Sequence, residues 1–269
     1  MSDSHHHDPA MRKLREVLTL AKSIDVPVTV ISGLERVGEL MKKRDDYCDQ
    51  KTTGPSEAMA ALIKDTLEHP WKQLYNEEKT KWDINPVMMS GNLEGYVLKF
   101  LVNASKAKKV LEVGLFTGCS ALGMAEVMPN DGKVVTCEFD PYLAKLARTY
   151  MDRSHHGKKV EILIGSALDT IKDLAKSGEQ FDFIFIDADR PGKSEYFHIA
   201  LNNLLAPGGT IALDNALSSG RSYMTDTPHD DRIKDVNEII ATREDIYHVL
   251  LPVRDGIMLV RRRCDMNYR

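Results

Sequence analysis

Lys109-Val110-Leu111-Glu112-Val113-Gly114-Leu115-Phe116-Thr117-Gly118-Cys119-Ser120 is the point at which the texture of the chain changes. A run of strand character meets two glycines spaced for a tight turn, and small residues suited to a helix start follow. From here on, short apolar runs alternate with helical patterns. The runs lie at 110–113, 134–137, 160–164, 181–186 and 210–213. Between them, Leu143, Leu146, Ala147, Tyr150 and Met151 share one helical face, and so do Leu168, Ile171, Leu174 and Ala175. Strands alternating with helices of this length imply right-handed βαβ units and a parallel sheet covered on both faces. Two further runs, 247–251 and 256–260, are joined through Arg254-Asp255-Gly256, and Asp-Gly between apolar runs signals a hairpin. The expected fold is α/β: a doubly wound, seven-stranded, mostly parallel sheet with an antiparallel last strand.

Upstream, residues 11–105 read as helical. Leu14, Val17, Leu18 and Ala21 follow the spacing of one apolar helical face, and Leu34, Val37 and Met41 repeat it. Pro55-Ser56-Glu57 has the form of a helix start, and 95–102 carries Val97, Leu98 and Leu101 on a further short helix. These helices are expected to cap a core or to form a dimer interface. Residues 1–10 are expected to be a disordered stub, so His5-His6-His7 reads as a polar terminus rather than a metal tract. The expected organisation is therefore 1–10 terminus, 11–105 helical cap and 106–269 α/β domain.

Composition narrows the function. Lys and Arg number 36 against 40 Asp and Glu, and the net charge of −4 offers no electrostatic footprint for nucleic acid or an anionic membrane. No apolar stretch approaches the ~20 residues of a membrane span, and the polar start is unlike a signal peptide. Cys48, Cys119, Cys137 and Cys264 are scattered without CxxC pairs, as free thiols in a reducing cytoplasm would be.

In an open α/β sheet, ligands bind beyond the carboxyl ends of the strands, near the switch in strand order. Gly114 and Gly118 permit close approach of a ligand to the backbone, and Thr117 and Ser120 can cap the next helix or hydrogen-bond that ligand. The turn is neither GxGxxG nor GxxxxGKS/T, which argues against a pyrophosphate. Glu138 closes the second run, where an acid can accept hydrogen bonds from ribose hydroxyls; a helix-capping acid is the plainer alternative. Gly165-Ser166-Ala167 are small enough for a flat ring to lie against them. These features suit a nucleoside. The fourth run ends in Asp187-Ala188-Asp189 and the fifth in Asp214-Asn215, so three carboxylates and an amide are expected at one rim. Hard oxygen donors of this kind suit Mg²⁺, Mn²⁺ or Ca²⁺, unless Asp187 and Asp214 merely cap helices.

Taken in order, these residues resemble the cation-dependent class I S-adenosylmethionine (SAM) O-methyltransferases of the caffeoyl-CoA and catechol type, which have a Rossmann-like sheet. The resemblance runs from about Trp71 to Arg263. It is carried by Met89-Ser90-Gly91-Asn92-Leu93-Glu94-Gly95, the 111–120 turn, Cys137-Glu138, Gly165-Ser166-Ala167-Leu168, 185–189, Ala206-Pro207-Gly208-Gly209, Asp214-Asn215 and Leu251-Pro252-Val253-Arg254-Asp255-Gly256. Within the family, the helical N-terminus, 89–95, 106–118 and His156-Gly157-Lys158 are most similar to the O-methyltransferases of deoxygadusol and mycosporine biosynthesis.

The resemblance implies roles. Ser90, Glu112, Gly114, Leu115 and Ser120 would surround the methionine part and ribose of SAM, whose product is S-adenosylhomocysteine (SAH). Glu138 would hold the ribose hydroxyls, Ala167 would lie at the adenine, and Asp189 would contact the cofactor. Asp187, Asp214 and Asn215 would bind the divalent metal, with Asp187 also at the reacting oxygens. Relatives usually carry a Lys after the DAD triplet, often assigned as general base. Here that position is Arg190, which cannot take a proton. Lys193 is the other candidate for the same spot, with a solvated surface lysine as the plainer alternative. Ser218-Ser219 stands where plant relatives have Trp-Asn, which sets the plant caffeoyl-CoA acceptor in doubt. Acceptor choice is expected to lie with loops such as 191–193 and 218–228 and with the N-terminal helices.

Plain readings are assigned elsewhere. His155-His156 is a polar turn rather than a metal pair, Trp71 and Trp82 are packing or a lid, Cys119 and Cys137 fill core space, and Lys42-Lys43-Arg44-Asp45-Asp46 is a solvated charge run. The expected activity is metal-dependent methylation of one of two vicinal hydroxyls of a small catechol or enediol by a homodimer. A SAM-binding scaffold and a nicotinamide dehydrogenase are the alternatives. The missing GxGxxG and the Asp187/Asp214/Asn215 set argue against the dehydrogenase.

Overall fold

The computed structural model describes residues 8–224 and 236–265. His5-His6-His7 and the 225–228 part of the proposed specificity loop lie outside them.

Five helices come first: α1 (Pro9–Ser23), α2 (Val28–Lys51), α3 (Glu57–Glu68), α4 (Trp71–Asn76) and α5 (Gly91–Ala104). Asp8, Pro9 and Ala10, expected to be irregular, instead start α1. Asp8 Oδ1 accepts from the Ala10 N–H at 2.8 Å, and Pro9 occupies the first turn, where its missing N–H costs nothing. Ser56 caps α3 through the Met59 N–H at 3.2 Å. α1 and α2 pair as a hairpin, but the Leu34/Val37/Met41 face is only partly covered: Val37 is 47% exposed, and α2 buries no residue fully. α5 begins at Gly91, four positions before the expected 95, because Met89-Ser90 leads straight into its first turn. It packs on the first helix of the sheet domain through Lys99 and Glu126, whose side chains are 8% and 9% exposed and meet at 2.6 Å.

The remainder alternates: β1 (Lys109–Val113), α6 (Cys119–Val127), β2 (Lys133–Glu138), α7 (Pro141–Met151), β3 (Val160–Ile164), α8 (Ala167–Lys176), β4 (Phe181–Ile186), α9 (Lys193–Ile199), β5 (Leu205–Leu213), α10 (Val236–Ala241), β6 (Ile246–Leu251) and β7 (Ile257–Arg262). The sheet order is β3-β2-β1-β4-β5-β7-β6. β1 through β5 pair in parallel, and β7 runs antiparallel to both β5 and β6. Strand alternation sorts the core: Val110, Phe183 and Phe185 join the cluster on one face, while Leu111, Ile184 and Ile186 join that on the other. Both faces are therefore helix-covered, as in a doubly wound sheet. β5 starts at Leu205 rather than 210. The ladder shifts register between Phe181 and Phe183, so that Pro207-Gly208-Gly209 is absorbed inside the strand. The chain leaves β1 for β2 on one side and returns to β4 on the other, which opens a crevice above the carboxyl ends of β1 and β4.

Among the described residues, no helix is long and apolar enough to cross a membrane. All four cysteines are free thiols, and burial pushes Cys119 and Cys137 up to about 12.

Candidate active site

The floor of the crevice is the turn after β1. Gly114 sits at φ +106, and a Cβ there would lie 2.1 Å from the Asp187 carbonyl oxygen, so the ends of β1 and β4 approach too closely for any other residue. Beyond it, the Phe116 N–H donates to Glu138 Oε2 at 3.0 Å, and the Asp140 N–H donates to Oε1 at 2.8 Å. Burial raises the Glu138 pKa, and those backbone donors oppose the rise. Glu112 stands behind this turn. Thr136, its register partner on β2, donates to Oε2 at 2.5 Å, and Oε1 has no partner. Burial lifts Glu112 to about 7.

The opposite rim is acidic. Asp187 follows β4 and Asp214 follows β5. Burial, then the charge of Asp214, holds the Asp187 carboxyl well above its usual range. Burial also raises Asp214, against the opposing effects of the Asn215 N–H and Lys193. Asn215 Nδ2 donates to Asp214 Oδ2 at 2.7 Å, while Asp214 Oδ1 is buried without a partner. Lys193 is buried, not solvated, and its Nζ donates to the Asp214 carbonyl at 2.6 Å. Asp189 turns away from the acidic rim: Oδ1 accepts from the Tyr196 hydroxyl at 2.6 Å and Oδ2 from the Gly192 N–H at 3.0 Å.

A cavity of about 710 Å³ joins the two halves. Of the residues expected at a cofactor, Ser90, Gly114, Leu115 and Ser120 line its centre, and Glu138 and Ala167 line one end. Asp187, Asp189, Arg190, Asp214 and Asn215 line the other side. Glu112 and Lys193 do not: they stand behind the wall, supporting Ser120 and Asp214 respectively.

Several lining residues have no ligand-binding role legible in the sequence, Trp82 among them, which reads there as packing or a lid. Trp82 and Phe139 stack with centroids 5.7 Å apart and planes 12° apart, at the Glu138 end. Glu94, at the start of α5, is 2% exposed and feels the charges of Asp214 and Asp187. Burial, then the Asp214 charge, pushes its pKa well up, and Oε1 has no partner. Its counter-charge is Arg254 Nε at 3.6 Å. Arg254 also donates from Nη1 to the carbonyls of Met89 (2.8 Å) and Ser90, and from Nη2 to that of Val87 (3.0 Å). Trp71 packs beneath, against Phe116.

The acidic rim suits a hard cation. Its donors are carboxylate and amide oxygens, Asp214 Oδ1 is an orphan, and the proximity of Asp187 and Asp214 disfavours both being ionised unless a positive charge joins them. Among the described residues, no three His, Cys, Asp or Glu side chains converge as a ready cage. A cation here would be met by two carboxylates and an amide, with positions left for water or ligand oxygens.

A family model described as O-methyltransferase matches residues 57–263. A probable caffeoyl-CoA O-methyltransferase of Dictyostelium discoideum is 31% identical over 73% of this chain and 85% of its own. A caffeoyl-CoA O-methyltransferase of Stellaria longipes is 32% identical over 80% of this chain and 95% of its own. The O-methyltransferase TomG of Streptomyces achromogenes, involved in tomaymycin synthesis and solved in complex with SAM, superposes with a TM-score of 0.67. It is 26% identical, over 82% of this chain and 96% of that one.

Proposed function

The chain belongs to the O-methyltransferase family and is a SAM-dependent O-methyltransferase, and we propose that it methylates one of two vicinal oxygens of a small catechol or enediol in a divalent-metal-dependent reaction. One observation carries this reading: Asp187 and Asp214, mutually opposed and with Asp214 Oδ1 orphaned, stand with Asn215 on the cavity wall opposite Glu138 and Ala167.

The roles follow from position. Glu138, already oriented by two backbone donors, is set to take ribose hydroxyls, with Ala167 and Ser166 beside the base. Ser90, Gly114, Leu115 and Ser120 surround the methionine part, Glu112 supports Ser120 from behind, and Asp189 flanks the cofactor. Asp187, Asp214 and Asn215 would hold Mg²⁺, or Mn²⁺ or Ca²⁺. Such an ion lowers the pKa of a hydroxyl bound to it and fixes which oxygen is presented. The methyl of a sulfonium is already activated, so the protein mainly aligns the nucleophile, an effect worth up to ~7–11 kcal/mol. Arg190 keeps its proton and faces developing negative charge instead of acting as a base. Lys193 acts through Asp214, as a positioning residue.

Enediols of the deoxygadusol type are favoured among acceptors by Ser218-Ser219 at the place of the bulkier plant pair. A homodimer is supported by the apolar side chains that α1 and α2 leave exposed, such as Leu20, Val28 and Leu40, and free thiols suit the cytoplasm. A SAM-binding scaffold without turnover is the second reading, favoured by Arg190 in place of a proton acceptor.

The test is SAH release with Mg²⁺ across catechols, caffeoyl esters and a deoxygadusol-type enediol, with and without chelator. Chelator-sensitive turnover on vicinal oxygens alone is expected, and Asp214→Ala should abolish it while SAH still binds. Chelator-resistant turnover would remove the metal; SAH binding with no turnover on any diol would favour the scaffold.

A further inference from the structure

α1 precedes the stretch matched by the family model, yet it reaches the far end of the cavity. Arg12 Nη2 donates to the Ser219 carbonyl at 3.0 Å. A Cβ on Gly220 would come within 2.6 Å of Pro9 Cγ, so the start of the helix and the turn are in tight contact. Asp8 and Arg12 also face Tyr223 across this junction.

The turn needs support. Asn215, Ser218 and Ser219 hold φ of +52, +54 and +53, a region that residues with side chains keep only where their surroundings enforce it. From the β6–β7 side, Asp255 Oδ1 accepts from the Ser219 N–H and the Asp255 carbonyl from the Leu217 N–H, both at 2.7 Å. From the opposite side, α1 supplies Arg12 and Pro9. Asn215, Ser219 and Asp255 all line the cavity, at the end away from Glu138 and Ala167.

We propose that Arg12, seated by Pro9 against Gly220, is a positioning residue for the acceptor: its bond to the Ser219 carbonyl fixes the 215–220 turn and so shapes the acceptor end of the cavity. The proposal rests on the assignment of that end to the acceptor, as in the function proposed above. It makes the N-terminal helix part of the acceptor site without any direct contact to the acceptor.

The test uses full-length protein carrying Arg12→Ala, Arg12→Lys or, as control, Lys13→Ala, whose ammonium pairs with Glu16 on the exposed side of α1. Amide exchange across 216–224, SAH affinity by calorimetry, and acceptor KM and kcat are measured for each. Arg12→Ala should speed exchange in the turn and raise acceptor KM by about tenfold, the scale of a lost charged hydrogen bond, with SAH affinity unchanged. Arg12→Lys, which keeps a cationic donor, should recover most of both, and Lys13→Ala should match the parent. Unchanged exchange in Arg12→Ala would overturn the proposal. So would faster exchange with an unchanged KM, or an equal loss of SAH affinity. If no diol is turned over, the functional reading fails by itself, and exchange in the turn still decides whether Arg12 holds it.

Discussion

The Lys193 ammonium donates to the backbone carbonyl of Asp214 at 2.6 Å, inside the protein rather than in the cavity. It thus pins the end of β5 and offsets the charge of both Asp187 and Asp214. Lys193→Met leaves a buried carbonyl without its donor and Asp187 without its nearby cation, while Asp214 keeps only Arg254. Unfolding stability should fall by about 1–3 kcal/mol. A kcat loss without a change in the shape of the pH–rate profile for Lys193→Arg would mark positioning; a displaced basic limb would instead make Lys193 the proton acceptor.

Gly114→Ala should be far more damaging than its one added methyl suggests. The Cβ would meet the Asp187 carbonyl oxygen at 2.1 Å, a backbone atom that cannot swing aside, and φ +106 is itself hostile to a side chain. Relief requires β1 and β4 to part at the centre of the cavity. SAH binding by calorimetry should be lost or weakened by more than about tenfold. Retained affinity would mean that the turn is softer than its geometry implies.

Much of this was legible in the sequence, for identifiable reasons. β4 coincides with its apolar run because a strand buried on both faces is apolar almost throughout; β3, at the sheet edge, coincides as well although only Val160 of it is fully buried. Asp187, Asp214 and Asn215 were readable because residues at strand ends share one rim once the strands are neighbours. Glu94 and Arg254 were not: their pairing spans the whole sheet domain, and a glutamate in a helix's first turn looks like an ordinary dipole partner. Phe139 was hidden for the same reason, and Trp82 was legible only as packing or a lid, since a stack between a loop and a strand end leaves no periodic trace. The early start of β5 was masked by Pro207-Gly208-Gly209, which has turn chemistry but is tolerated inside the strand where the register shifts.

Phe139 stacks on Trp82, and Lys81 Nζ lies 4.0 Å from its ring centroid, yet Phe139 remains 46% exposed. An aromatic face left half open at the Glu138 end offers a surface for a flat base. Phe139→Ala should weaken SAH binding by about 1 kcal/mol, near the value of one aromatic stack, with little change in melting temperature. Equal SAH affinity in the variant would move the base elsewhere in the cavity.

Glu112 sets a pH dependence. Its pKa rises from 4.5 to about 7 because burial penalises the carboxylate. The folded state therefore holds this proton more tightly than the unfolded chain. Stability attributable to it is complete below about pH 4.5 and is lost as pH rises to about 7, a difference of up to about 3 kcal/mol. Urea unfolding of the ligand-free protein should show a declining midpoint across this window, and Glu112→Gln should make the decline shallower. Glu94, Asp187, Asp214 and Glu138, raised in the same direction, contribute to the slope that remains. An identical slope in the variant would show that Glu112 titrates normally.

Arg254 ties together two loops that the chain reaches far apart. Its backbone sits at φ +49, an unfavourable place for a side chain, while its guanidinium bonds the Val87, Met89 and Ser90 carbonyls and faces Glu94. Two opposing effects can be separated by substitution. Arg254→Ala keeps the backbone strain and loses the latch. Arg254→Gly loses the latch but relieves the strain, recovering about 1 kcal/mol. The expected order of stability is therefore parent, then glycine, then alanine, read from denaturant midpoints. Both variants also strand the Glu94 carboxyl in a buried site, so adding Glu94→Gln to either should cost less than it does in the parent, a coupling of about 0.5–3 kcal/mol. Strict additivity would mean that Arg254 serves the carbonyls alone and that Glu94 draws its stability from the acidic rim it shares with Asp187 and Asp214.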